Sequence, residues 1–192
     1  MVKLNKLTKD IPATVLVKIE TTNPGNSIKD RMALFILQQA YLQNLIRPTD
    51  TIIEATSGNT GIAFSAIGKA LGHPVTIVMP NWLSKERIDI IKSLGADILL
   101  ISKEEGGFLG SIKLTEEMRA NSDTYFLPRQ FENTWNAMAH EKTTGPEIWH
   151  QLENIGLVPD AFVAGVGTGG ATGITGAGST LGSAVGFPCS RP

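Results

Sequence analysis

"DTIIEATSGNTGIAFSAIGKALGHPVTIVMP", residues 50–80, decides the fold. Its first part, "DTIIEA" (50–55), is a short apolar run of the kind found in a strand buried on both faces. Residues 61–71 read as an apolar helix, and Gly72 followed by Pro74 is the signal that stops it. "PVTIVMP" (74–80) is another buried strand. A short polar loop, residues 54–63, joins the first strand to the helix.

The same alternation extends outward in both directions. Upstream, "TVLVKIE" (14–20) predicts a strand, Pro24-Gly25 a turn, and residues 32–46 a helix with apolar positions at 34, 37, 41 and 45. Downstream, a helix is expected from about Ser84, placed as its N-cap, to Leu94, where Gly95 ends it. "DILLIS" (97–102) follows, then a helix around 110–119 and "TYFLP" (124–128). Residues 134–153 read as helical in two pieces, broken near Gly145-Pro146, and "DAFVAGV" (160–166) is the last clear strand. Alternation of this kind predicts an α/β fold: an open, mostly parallel sheet with helices on both faces.

Composition narrows the function. The chain has 192 residues, 42% hydrophobic and 18% charged, which calls for a buried core and not for disorder. A formal net charge of -1 gives no general pull toward nucleic acid or an anionic membrane. An anionic ligand must therefore be held by local geometry. The single cysteine, Cys189, excludes an internal disulfide and a thiolate metal cluster. His73, His140 and His150 lack the spacing of metal ligands, so no metal is assigned; the latter two read as helix-surface or packing residues. "MVKLNKLTKD" (1–10) has no apolar core of signal-peptide length, and the expected compartment is the cytosol.

Two glycine-bearing loops each follow a strand. "EATSGNTGIA" (54–63) brings backbone N–H groups and the hydroxyls of Thr56, Ser57 and Thr60 to a helix N-terminus, which suits a small anion. Plain N-capping is the alternative. "AGVGTGG" (164–170) lets backbone amides close around phosphate oxygens. It also fits G-x-G-x-x-G, but no acidic residue follows to hold a ribose hydroxyl, which disfavours a nicotinamide dinucleotide. No Gly-Lys-Ser/Thr follows either, so a nucleotide P-loop fails.

"NPGNSIKDRMALFI" (23–36) holds Lys29 between the Pro-Gly turn and the apolar helix. Taken alone, Lys29 reads as a surface lysine. Taken with one loop for a phosphate and another for a carboxylate, it suggests pyridoxal phosphate (PLP). The PLP aldehyde condenses with a lysine amine, and its ring draws electrons from an amino-acid carbon. Asp30 is explained by favourable charge in the first helical turn, and neither it nor Arg31 is assigned a catalytic role.

The motifs resemble those of the cysteine synthase and cystathionine β-synthase family of PLP enzymes. "NPGNSIKDR" is similar to its cofactor-lysine motif, "TSGNTG" to its substrate loop and "GVGTGG" to its phosphate loop. "QFEN" (130–133) and "HEKTTGPEIW" (140–149) match segments between them, and the likeness runs in order from Met1 to Gly170. It implies the tryptophan synthase β-like PLP fold, with Lys29 as Schiff-base lysine and proton-transfer base. It further implies Asn59 on the cofactor's ring hydroxyl, and Thr56, Ser57, Thr60 and Gln130 on the substrate carboxylate. Gly167, Thr168, Gly169 and Gly170 would bind the phosphate. Residues 33–133 would form a smaller mobile domain, with 1–32 and 134–170 belonging to the larger, cofactor-binding one. The implied reaction makes L-cysteine from O-acetylserine and sulfide, with cystathionine synthesis or an inactive remnant as alternatives; the implied assembly is a homodimer.

The sequence departs from the family pattern in two ways. Ala171 stands where the phosphate loop normally has a threonine, with Thr172 one step later. The larger domain is incomplete: no position matches the hydroxyl residue facing the pyridine nitrogen, and residues 171–192 form an atypical glycine-rich tail. The expectation is a truncated product, with a frameshift near Ala171 as its source and a dimer correspondingly less secure.

Overall fold

In the computed structural model, which describes residues 1–56, 58–177 and 185–188, the apolar runs of the 50–80 stretch become adjacent parallel strands. An antiparallel pair, β1 (Val2–Lys3) and β2 (Leu16–Val17), precedes α1 (Lys29–Leu42). Then come β3 (Thr51–Ala55), α2 (Asn59–Ala70), β4 (Val75–Pro80), α3 (Lys85–Ser93), β5 (Asp97–Ile101), α4 (Gly107–Asn121) and β6 (Tyr125–Phe126). The last part comprises α5 (Trp135–Ala139), a π-helical turn (His140–Thr144), α6 (Gly145–Glu153), β7 (Val163–Val166), a 3-10 segment (Gly170–Ala177) and β8 (Val185–Pro188).

The main sheet has strand order β5-β4-β3-β6 and is parallel throughout. Ile52 lies opposite Val75 and Glu54 opposite Ile77. On one face Ile52, Val75, Ile77 and Met79 pack with Met32, Ile36 and Leu37 of α1, Ala63 and Phe64 of α2, and Ile91 of α3. The other face, with buried Ile53 and Val78, is covered by α4. Helices therefore cover both faces, as the alternating pattern predicts. No helix among the described residues is long and apolar enough to cross a membrane.

Two glycines set how closely α2 can approach the sheet. A Cβ at Gly61 would meet Thr56 Cγ2 at 2.8 Å and both Ile77 and Ile91 at 3.2 Å. A Cβ at Gly68 would meet Ile52 and Val75 at 2.8 Å. The sheet's topology then fixes where a ligand can go. From β3 the chain steps outward through β4 and β5; α4 brings it back to β6 on the far side of β3. This reversal opens a crevice at the carboxyl ends of β3 and β6, where ligands bind in open α/β sheets.

Several elements differ from their sequence expectation. The strand expected over 14–20 shrinks to Leu16–Val17, because its ladder partner among the described residues is the two-residue β1. Helix α1 starts earlier, at Lys29, and ends at Leu42. Ser84 occupies the N-cap position of α3, but its side chain makes no capping hydrogen bond. Gly95 does end that helix, at φ +81°. Residues 135–153 are not broken at Gly145-Pro146. Pro146 has no N–H and would disrupt an α-helical register, and the π-helical turn just before it lets the helix run on through α6.

Candidate functional site at the switch point

Lys29 opens α1 directly after the Pro-Gly turn, and its backbone N–H donates to Ser27 Oγ at 3.2 Å. The side chain is partly buried, and this loss of water pushes its pKa below the usual lysine value. Among the described residues no carboxylate lies within ion-pairing distance of Nζ, so no nearby anion offsets that effect. A lysine of lowered proton affinity has the lone pair needed to attack a carbonyl.

The Asp-Arg pair behind it fixes the helix start. Asp30 is buried and accepts the Gly25 N–H at 2.5 Å, which ties the Pro-Gly turn to the helix. Its explanation is therefore this bond and not only the helix dipole; burial, the larger influence, raises its pKa. Arg31 makes two bonds to Glu20, at 2.6 and 2.9 Å, and a third to Glu147 on α6 at 2.7 Å. Lys18 also reaches Glu147, at 2.7 Å. The Arg31 bond, working against modest burial and aided by Lys18, holds the Glu147 pKa down at about 2. Three segments are thus fastened around the point where Lys29 emerges.

The carboxyl end of β3 meets the loop after β6. Thr56, Thr60 and Gln130 are all buried. Thr60 Oγ1 donates to Gln130 Oε1 at 2.6 Å, and Gln130 Nε2 donates to the Ala55 carbonyl at 3.2 Å. That carbonyl can only accept, so the Gln130 amide has one possible orientation, and its second Nε2 hydrogen remains for another acceptor. Thr56 Oγ1 accepts the Gly58 N–H at 3.2 Å. Neither threonine caps α2, whose N-cap is Gly58, so simple capping does not account for the hydroxyls. Asn59 is exposed at the first position of α2, and Ser57 lies outside the described residues.

The second loop follows β7. Among the described residues, a Cβ added at Gly165, Gly167 or Gly169 would meet nothing within 4 Å, and Gly169 has φ +81°. The space and the left-handed turn suit a phosphate cradled by backbone N–H groups. Thr168 Oγ1 accepts from Asn136 Nδ2 at 2.9 Å, and Asn136 Nδ2 also donates to the Gln130 carbonyl at 2.9 Å. The structure thus links Thr60, Gln130, Asn136 and Thr168 in one hydrogen-bonded chain. Thr172 donates back to the Gly169 carbonyl at 2.6 Å, closing the turn that starts the 3-10 segment.

One buried residue here, Asn136, escapes a sequence reading: its Oδ1 is buried with no partner among the described residues. Of the two roles expected for His140, the structure gives packing: it is wholly buried, Nδ1 pairs with Thr144 Oγ1 at 2.9 Å, and Nε2 has no partner among the described residues. Burial, with nearby Lys29 and Arg31 adding to it, pushes the His140 pKa down to about 4. The signal that could have found His140 is its position one to two helical turns before Pro146 inside a helical pattern, where a π-turn can accommodate the proline. His73 is also buried, receiving the Tyr41 hydroxyl at Nε2 (2.5 Å) and donating from Nδ1 to the Asp50 carbonyl (2.8 Å).

A partly buried lysine at a helix start, buried hydroxyls at a strand's carboxyl end and a glycine loop with φ +81° at Gly169 are set out on an α/β framework in a way that suits an anionic cofactor. The chain belongs to the family of pyridoxal-phosphate dependent enzymes, whose model matches residues 1–186 and so extends past Gly170, where the likeness read from motifs stops. It is 44% identical over 181 residues to a cysteine synthase of Staphylococcus aureus, covering 94% of this chain and 56% of that protein. Among solved structures it is similar to a hydrogen sulfide-producing enzyme from Fusobacterium nucleatum, with 52% identity and a TM-score of 0.83 over 85% of this chain and 49% of that one. It is also similar to a cysteine synthase from Entamoeba histolytica, with 36% identity and a TM-score of 0.82, covering 92% and 52%. The chain spans about half the length of the relatives it matches.

Proposed function

We propose that this chain carries the lysine, carboxylate and phosphate elements of a PLP-dependent β-replacement enzyme that makes L-cysteine from O-acetylserine or a similar activated serine, plus sulfide. What supports this most is the hydrogen-bonded chain from Thr60 through Gln130 and Asn136 to Thr168, which joins the two anion-sized loops. PLP, when bound, supplies an aldehyde and an electron-withdrawing ring. Lys29 Nζ would hold the cofactor's aldehyde carbon and would accept the amino acid's α-proton, a task suited to an amine whose proton affinity burial has lowered. Gly167, Thr168, Gly169 and Gly170 hold the phosphate, and Asn59 meets the ring hydroxyl. Thr56, Ser57, Thr60 and Gln130 hold the substrate carboxylate, with the second Gln130 Nε2 hydrogen left to donate to it.

Residues 33–133 act in this proposal as the smaller domain that closes over the substrate and excludes water. Residues 1–32 and 134–170 belong to the cofactor-binding part. The proposed setting is the cytosol, with a small amino acid and sulfide as partners. A second reading is sulfide release from cysteine, favoured by the 52% identity to the Fusobacterium enzyme.

The test is a PLP-supplemented assay of the purified chain with O-acetylserine plus sulfide, serine plus homocysteine, and cysteine alone. Cysteine formation in the first arm, lost in Lys29→Ala, is expected. Product only from homocysteine or only from cysteine replaces the leading reading with the corresponding one. PLP bound without turnover in any arm identifies a non-catalytic remnant.

A further inference from the structure

Asn136 stands at the start of α5 and is 3% exposed. Its Nδ2 lies 2.9 Å from the Gln130 carbonyl and 2.9 Å from Thr168 Oγ1. The carbonyl can only accept, so the nitrogen of the amide must face it, and both amide hydrogens are then committed. Thr168 Oγ1 is left as acceptor to Asn136, and the Gly170 N–H also approaches it, at 3.4 Å. With N–H groups directed at the oxygen, the hydroxyl's own hydrogen must point elsewhere. Among the described residues none accepts it.

Gly170 belongs to the same arrangement. A Cβ there would collide with Asn136 Oδ1 and Cγ and stand 3.0 Å from Nδ2. The amide therefore sits directly under the loop backbone, where no larger residue at 170 could leave it in place.

We infer that Asn136 is a positioning residue that commits the Thr168 hydroxyl to donate to a phosphomonoester in the 166–170 loop, and that it ties this loop to the backbone of Gln130. The inference rests on the proposal that this loop holds the cofactor's phosphate. It predicts that Asn136 acts on the phosphate through Thr168 and has no effect on a ligand lacking that group.

Equilibrium titrations with PLP and with pyridoxal, its phosphate-free counterpart, separate these effects. Thr168→Ala and Asn136→Ala should each weaken PLP affinity about 10-fold, the range of one hydrogen bond to a charged group, and leave pyridoxal affinity unchanged. The double variant should bind PLP no more than about 2-fold more weakly than Thr168→Ala, because the two residues act in series. Losses that multiply, an Asn136→Ala protein binding PLP normally, or equal losses for both ligands would overturn the inference. Unchanged PLP affinity in Thr168→Ala removes the underlying phosphate-loop reading as well, and so is distinguishable. If Asn136→Ala does not fold, the side-chain NH2 signals of Asn136 in an amide NMR spectrum serve instead. They should move in Thr168→Val and stay in Thr168→Ser; no movement in either variant overturns the inference.

Discussion

The loop after β3 and the loop after β7 have similar local sequences and very different support. Around the first, Thr56 and Thr60 are buried, and Gly61 is pressed against Thr56, Ile77 and Ile91. Around the second, Val163 and Val166 are exposed, and Gly165, Gly167 and Gly169 have open space beside them. The glycine at 61 answers to packing, whereas Gly165, Gly167 and Gly169 meet no packing neighbour among the described residues and Gly169 answers to backbone conformation. A glycine pattern alone does not say which of these applies; the neighbours do.

Substitutions can break or sharpen this contrast. Gly61→Val should give the largest stability effect: overpacking of about 3 kcal/mol, lowering Tm by roughly 5–10 °C in a scan of the cofactor-free chain. Gly167→Val should leave that Tm within about 1 °C, as nothing among the described residues stands within 4 Å of a Cβ there. A large Tm loss in Gly167→Val, or none in Gly61→Val, would remove the distinction. Next in size, Gln130→Ala should weaken binding of a substrate amino acid by about 10- to 100-fold, as expected when a charged carboxylate loses a hydrogen bond. Titration with O-acetylserine measures it, and unchanged affinity contradicts the carboxylate assignment.

A smaller effect concerns pH. Glu54 is buried on β3; burial, only partly offset by the Gln130 and Arg129 backbone N–H groups, raises its pKa to about 8. Its pKa is higher in the folded state than in the unfolded one, so its share of stability is intact below about 4.5 and declines as pH rises toward 8. Glu54→Gln removes the titration, and urea melts should show a flatter pH dependence across that window. An unchanged slope would mean that Glu54 is already ionised. The smallest effect is at Glu147, whose folded pKa is lowered to about 2. Its contribution is present above about 4.5 and disappears as pH falls toward 2, and because the side chain is 40% exposed the change is modest. Glu147→Gln should narrow the acid-side loss in the same melts.

Much of the fold was legible because its signals are local. The central strands of the main sheet are apolar runs, and Gly72 and Gly95 mark helix ends at positive φ. The order β5-β4-β3-β6 is not local, and neither is the meeting of Thr60 with Gln130 across 70 positions. Periodicity reports a residue's face and not its partner. Asn136 was invisible for that reason: an asparagine early in a helix looks like an ordinary polar residue until the Gln130 and Thr168 oxygens are found beside it. Arg31 and Glu147 show the same limit, since the bond between α1 and α6 spans 116 positions. For His140 the sequence leaves surface and packing roles open, and the structure decides for packing: the residue opens the π-turn and is fully buried.

In the proposed function Lys29 forms the covalent bond to PLP. The most direct measurement is to load the chain with PLP, reduce it with borohydride and locate the modified lysine by peptide mass spectrometry. The account predicts a phosphopyridoxyl group on Lys29, and none at that position in Lys29→Ala. Modification of a different lysine, or of no lysine at all, would contradict it.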